Sequence, residues 1–132
     1  MISRTGRYAL NILGHLASRP DERVSGKELA RLSGVPANYL SKIMNQLRKQ
    51  GIVVAEKGWG GGFQLRPEAL QLPIREILVL IEGAGSVDRV DCLFGFSRCN
   101  AEDPCPLHPY WERIRNIYNE MLKEVRVADL IA

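Results

Sequence analysis

Nowhere does this chain approach the roughly 18 consecutive apolar residues that a membrane-spanning helix needs. Its start, MISRTGRYALNILGHLASRP, also lacks the unbroken apolar segment and small-residue cleavage site of a secretory signal. The expectation is therefore a cytoplasmic protein with no membrane partner. At 132 residues and 45% hydrophobic content it can bury one ordinary core, so one soluble domain with an appendage is expected. Catalytic signatures are missing too. There is no nucleophile elbow, phosphate-binding glycine loop or paired-carboxylate motif, and His15 sits in an apolar helical stretch where a structural role fits. No catalytic residue is named and an enzyme is not expected. Cysteine is scarce and odd in number: three thiols cannot all pair within one chain, which favours a metal or redox role over a disulfide framework.

What charge there is divides unevenly. Residues 1–66 carry 11 Lys and Arg against 4 Asp and Glu, whereas residues 67–132 carry 7 against 11. A basic first half is the footprint of a polyanion partner, and the acidic second half would be repelled by one. An unevenly charged but merely solvated surface would look the same in composition.

Apolar spacing organises the first half. Ala9, Ile12, Leu13 and Leu16 recur on one face and predict a helix over about Ser3 to Ser18, ended at Arg19-Pro20. Ser25 with Glu28 three residues on is a capping box, opening a short helix from Gly26 to Leu32 that Gly34 stops. A third helix, Ala37 to Gln50, carries Leu40, Ile43, Met44 and Leu47 as its stripe and ends at Gly51. Two helices joined by a short turn containing Gly form the helix-turn-helix pattern, which any helical hairpin shares.

The segment IVVAEKGWGGGFQL narrows that choice. Ile52 to Ala55 and Phe63 to Leu65 read as two strands around a basic, glycine-rich tip. Helix, helix-turn-helix and hairpin in this order make a winged helix, with the third helix suited to the major groove and the wing to an adjacent groove or backbone. The polar face of that helix carries Asn38, Tyr39, Ser41, Lys42, Asn45 and Gln46, with Arg48 and Lys49 at its end. Amides and hydroxyls can read base edges, and cations can hold phosphates. The candidate DNA-binding residues are Ser25, Asn38, Tyr39, Ser41, Lys42, Asn45, Arg48, Lys57, Trp59, Gly60 and Gly61. A protein-binding winged helix is the competing reading.

Past the wing, Leu72 to Ile81 reads as an apolar helix with Pro73 in its first turn, ended by Gly83 to Gly85. Near the C-terminus Trp111, Ile114, Ile117, Tyr118, Met121, Leu122 and Val125 recur at spacings of three and four. Little core is left for so wide a face to cover. It is read as a seam against a second copy, suited to a palindromic operator, with packing inside the chain as the alternative.

Between these helices lies DCLFGFSRCNAEDPCPLHPYW, which holds Cys92, Cys99, Cys105 and His108. Thiolates gathered in a short loop repel one another unless a cation draws off their charge, so a metal centre is the expected occupant. No two cysteines are close enough to form the Cys-x-x-Cys pair usual for structural zinc. The uneven spacing suits an iron-sulfur cluster, with zinc, a thiol redox pair and plain buried cysteines left open.

The residues SRTGRYAL, NYLSKIMNQLRKQGIV, KGWGGGFQL and the cysteine triad with CPLHPYW resemble the Rrf-type winged-helix regulators of the IscR, NsrR and RirA kind, over essentially the whole chain. The resemblance implies a bacterial homodimer on double-stranded promoter DNA, its affinity set by a 2Fe-2S or 4Fe-4S cluster that a small signal molecule can attack. By the same resemblance the ligands are Cys92, Cys99 and Cys105, with His108 where IscR-like members use a histidine. NsrR-like members take an aspartate where Arg7 stands here, and a guanidinium cannot serve as a ligand. IscR-like members have a glutamate where Ser41 stands, so their operator sequence does not carry over. Some relatives act without a cluster, which keeps open a cluster-free or zinc-bound repressor controlled by a partner protein or thiol oxidation.

The expected fold is mainly α with a small β-hairpin wing: a winged helix-turn-helix domain over residues 1–66, a connecting helix within 67–90, a cluster-binding loop over 91–109, and a dimerisation helix with a C-terminal tail over 110–132.

Overall fold

The computed structural model describes residues 1–87 and 101–131. Three helices come first: α1 (Arg4–Ala17), α2 (Gly26–Ser33) and α3 (Ala37–Lys49). A two-stranded hairpin follows, β1 (Val53–Glu56) and β2 (Gly62–Leu65). A 3-10 turn (Pro67–Gln71) leads to α4 (Ile74–Glu82) and the single turn α5 (Ala84–Val87); α6 (His108–Glu124) and a 3-10 turn (Val127–Leu130) complete the described chain. No described helix is long and apolar enough to cross a membrane.

Each early helix forms where its sequence supplies both an apolar face and an end. Ser3 caps α1 by accepting from the Gly6 N–H at 3.0 Å, and Ser25 caps α2 by accepting from the Glu28 N–H at 3.1 Å. The expected capping box at α2 is half made, because the Glu28 carboxylate turns to Arg31 at 2.5 Å. Gly34 ends α2 at φ 71, a left-handed turn that a residue with a Cβ would adopt only with strain. The chain then re-enters a helix at α3, with Pro36 as the residue before it.

One core joins these elements. Ile12, Leu13 and Leu16 of α1, Leu29 of α2, Leu40, Ile43, Met44 and Leu47 of α3, and Val53 and Leu65 of the hairpin are all buried in it. At about 1.5–3 kcal/mol for each large side chain removed from water, this cluster is the main stabilising term of the winged half. Tyr8 and Tyr39 add an edge-to-face contact between α1 and α3, ring centres 5.5 Å apart.

The hairpin is antiparallel, with Val53 opposite Leu65 and Glu56 opposite Gly62. It is also fastened to the segment before α2. Val24 and Phe63 exchange backbone hydrogen bonds of 2.8 Å each, and Gln64 donates to the Pro20 carbonyl at 3.1 Å. Arg23 and Glu56 pair at 2.6 Å beside them. The wing therefore has a fixed base.

The second half differs from expectation in three details. A separate 3-10 turn precedes α4, which opens at Ile74 behind Pro73 rather than at Leu72, because proline fixes the extended entry and the helix starts after it. Helix α6 opens at His108, so His108 and Pro109 belong to its first turn rather than to a loop. The C-terminal tail is packed onto the fold. Ile74 N–H donates to the Val125 carbonyl at 2.8 Å and Val127 N–H to the Leu72 carbonyl at 2.9 Å, and Val127 is fully buried in the main core. At the other end of α4, Glu82 accepts from the Ser3 backbone N–H at 3.0 Å and from the Ser3 hydroxyl, joining α4 to the start of α1.

Candidate nucleic-acid interface and cysteine segment

Because α3 buries Leu40, Ile43, Met44 and Leu47, its remaining positions are turned outward by the helical repeat. Asn38, Ser41, Lys42, Asn45, Gln46, Arg48 and Lys49 are accordingly exposed, while Tyr39 is half-buried against Tyr8. A groove of ≈ 790 Å³ runs between α3, the start of α2 and the wing. Ser25, Ser41, Asn45, Arg48, Lys57 and Gly61 line it together. Asn38, Tyr39, Lys42, Trp59 and Gly60 are not among its lining residues.

The groove has a defined chemistry. Arg48 donates to the Asn45 side-chain oxygen at 2.9 Å, which leaves the amide NH2 of Asn45 as the donor that a base edge can meet. Glu56 also lines the groove, with Arg23 beside its carboxylate at 2.6 Å, so its negative charge is partly offset where a phosphate would approach. Sequence reasoning left out Arg23, Gly26, Glu56 and Phe63. The Val24–Phe63 bridge helps bring the segment before α2 up to the wing, and nothing in the spacing of those residues announces it.

Around the cysteines the described structure begins at Ala101, so Cys92 and Cys99 lie outside the described residues. Over residues 101–109 only two side chains are buried, Cys105 and His108. Their exposures are 8% and 7%. His108 N–H donates to the Cys105 carbonyl at 3.0 Å, which winds the two residues into one turn at the head of α6. The His108 Nε2 lies 3.8 Å from a Glu112 carboxylate oxygen, one helical turn on. Glu102 and Asp103, the carboxylates nearest in sequence, are exposed. Among the described residues no three His, Cys, Asp or Glu side chains gather as a metal site. Cys105 and His108 are nonetheless of the right donor chemistry for an iron-sulfur group, a soft sulfur and an imidazole, both buried.

On α6 the apolar positions divide between two directions. Leu122 is buried with Ile74 and Leu78, and Tyr118 and Val125 pack half-buried on that cluster. Ile114, Ile117 and Met121 stand 44%, 66% and 38% exposed, and Trp111 is intermediate. Tyr118 holds its proton above the usual tyrosine range because burial disfavours the phenolate and the Glu82 charge opposes it.

Residues 2–132 match the profile of the Rrf2 family, described as an iron-dependent transcriptional regulator. The chain belongs to the Rrf2 family. It is 34% identical over 133 residues to a protein of Aquifex aeolicus carrying the provisional name HTH-type transcriptional regulator, covering 99% of this chain and 91% of that one. It is 26% identical to the transcriptional regulator IscR of Serratia proteamaculans, across 98% of this chain and 78% of the relative. Among solved structures it resembles CymR, the global cysteine regulator of B. subtilis, at TM-score 0.75 and 28% identity, covering 98% of this chain and 95% of that one. IscR of T. potens shares the fold at TM-score 0.70 and 24% identity, over 98% of this chain and 85% of the other. This Rrf2 protein is therefore a helix-turn-helix transcriptional regulator and not an enzyme.

Proposed function

We propose that the protein is a homodimeric regulator that binds promoter DNA through α3 and the wing, with its affinity governed by an iron-sulfur cluster held on Cys92, Cys99, Cys105 and His108. The inward turn of Cys105 and His108, while the other side chains over residues 101–109 are exposed, is the observation that carries the cluster reading. A neutral imidazole and a sulfur are donors that iron accepts. When bound, the group supplies a redox- and ligand-sensitive charge at the head of α6. The protein's own part is to hold two donors on one helical turn and keep water from them.

Two further features support the rest of the reading. The groove formed by Ser25, Ser41, Asn45, Arg48 and Lys57 pairs hydrogen-bonding groups with cations, as base readout on a phosphate backbone requires. Ile114, Ile117 and Met121 form an exposed apolar face on α6, and a second copy related by a two-fold axis would cover it.

The likeness to CymR, named as a cysteine regulator, favours one second reading: a cluster-free or zinc-bound regulator answering to a partner protein or to thiol oxidation. Anaerobic purification followed by an ultraviolet-visible spectrum and iron and sulfide assays separates the two. The cluster reading expects iron and acid-labile sulfide in equal amounts, lost in each of Cys92→Ala, Cys99→Ala and Cys105→Ala. It expects His108→Ala to fold and dimerise but to lose the chromophore faster in air. Zinc without sulfide, or no metal at all in protein that still binds DNA, would overturn the cluster reading and leave the second one.

A further inference from the structure

The wing carries a side chain that the fold itself does not use. Trp59 is 106% exposed, so no described residue covers its indole. It stands at the apex of a turn closed by the Gly61 N–H on the Gly58 carbonyl at 3.0 Å, between Gly58 at φ 91 and Gly60 at φ 71. Such a turn could be slack. Here it is tightly wound, since a Cβ on Gly61 would strike the Glu56 and Gly58 carbonyls, and its base is fastened through Val24–Phe63, Arg23–Glu56 and Gln64–Pro20. The outcome is a large apolar blade, held out in water on a short rigid mount.

Leaving an indole in water forgoes burial of about 150–250 Å² of surface, which a rigid mount recovers cheaply once a partner arrives. The charge around the blade selects that partner: Lys57 stands two residues before it in the chain, and Lys57, Arg48 and Asn45 line the groove beside the same hairpin. A polyanion fits this setting. Trp59 is flanked by two residues without side chains, so a Gly-Trp-Gly ribbon can enter a minor groove only about 6 Å wide, where bulkier neighbours would collide with its walls. An apolar side chain entering there wedges between base pairs and unstacks them, at a cost that is lowest at pyrimidine–purine steps.

We propose that Trp59 is a specificity-determining wedge that enters the minor groove beside the α3 site and selects operators by how easily a pyrimidine–purine step unstacks there. This rests on the DNA-binding reading above and adds to it a form of readout that no hydrogen bond supplies. A cation inserted in the groove in place of the indole would instead favour a stiff, narrow A-tract. The two chemistries predict opposite sequence preferences at one position.

The test uses the full-length dimer, purified anaerobically, and a pool of random-sequence duplexes. The parent should enrich a TA, CA or TG step flanking the α3 half-site, and Trp59→Ala should lose that step from its enriched sequences while keeping the half-site. On the enriched duplex Trp59→Ala should bind about ten- to a hundredfold more weakly, within the range that aromatic stacking on a base provides. A mismatch placed at the step should strengthen binding by the parent and not by Trp59→Ala, because the unstacking is already done. The chain has two tryptophans, so the difference between parent and Trp59→Phe isolates the Trp59 emission, which should quench on binding. Enrichment of a half-site by parent and Trp59→Ala alike, with an unquenched Trp59 signal, would overturn the wedge and leave the DNA-binding reading intact. Enrichment of no sequence at all would overturn both.

Discussion

Helices α3 and α6 carry apolar residues at the same spacing, and the fold treats them differently. Leu40, Ile43, Met44 and Leu47 of α3 are all buried by α1, α2 and the hairpin. Of the equivalent stripe on α6 only Leu122 is buried, Tyr118 and Val125 are half-covered, and Ile114, Ile117 and Met121 face outward. Periodicity announces that a helix has an apolar face. What covers that face depends on neighbours that no single helix encodes: α3 has them within its own chain, and we read α6 as finding part of its cover in a second copy.

The sharpest way to break this comparison is to place the same charge on both stripes. Met44→Glu would bury an unpaired carboxylate in the main core, a cost of several kcal/mol against a typical net stability of about 5–15 kcal/mol. Circular dichroism should show an unfolded or strongly destabilised chain. Ile117→Glu puts the carboxylate on a position 66% exposed in the single chain, so the helical signal should survive. Sedimentation should then show a monomer, with operator binding reduced, because two such charges meet across the two-fold seam. Met121→Glu should behave the same way. An undisturbed dimer for both α6 variants would remove the second copy from the reading of α6.

The same contrast shows how far sequence reasoning reaches. The first half was legible because its signals are local: the Ser25 cap, the Gly34 stop, and the apolar repeats of α1 and α3 each act within a turn or two of chain. Binary patterning and caps agree there with the tertiary outcome, so element order and the outward face of α3 follow. Less legible was whatever depends on distant pairing. Val127 sits in the core and bonds to Leu72, 55 positions earlier, yet VADL reads in isolation as a tail. Likewise the Val24–Phe63 bridge, which ties the segment before α2 to the wing, joins two residues with no mutual signal in sequence. The motif pairs His108 with Cys105 but does not place it in the first turn of α6, because the apolar repeat that marks this helix begins only at Trp111.

A smaller effect separates two groups within the basic half itself. Arg48→Ala and Lys57→Ala remove cations that can hold phosphates, so binding should weaken on specific and random duplexes alike, and the slope of affinity against salt should flatten by about one charge each. Asn38→Ala and Ser41→Ala, on the outward face of α3, should act on the specific duplex alone, reducing its margin over random DNA by about 1–3 kcal/mol for a good base contact. Titrations at two salt concentrations distinguish the pairs. Arg48 also steadies Asn45, so its loss should show some of both behaviours. Equal losses on both duplexes from all four variants would remove the division of labour between readout and anchoring.

The smallest effect lies on the border between the two faces of α6. Tyr118 is half-covered, and burial, followed by the charge of Glu82, raises the pKa of its phenol above the usual tyrosine value of about 10. The unfolded chain gives up this proton at lower pH than the folded one, so the folded protein binds more protons in that window and its stability falls as pH rises. The contribution is complete below pH ~10 and is lost as the pH climbs through the raised folded value. Because much of the ring still meets water in the single chain, the loss should be a fraction of about 1 kcal/mol. Urea unfolding of parent and Tyr118→Phe should therefore give a constant difference up to about pH 10 and one that shifts in favour of Tyr118→Phe above it, with Glu82→Gln removing the lesser part. Repeating the measurement with Ile117→Glu sharpens the contrast between the helices. If a second copy covers α6, the ring is drier in the dimer, and the alkaline loss should be larger in the parent than in the Ile117→Glu monomer. Identical alkaline profiles in the two backgrounds would mean that whatever covers Ile117 leaves Tyr118 untouched, and would confine the seam to the outer edge of the stripe, on Ile114, Ile117 and Met121.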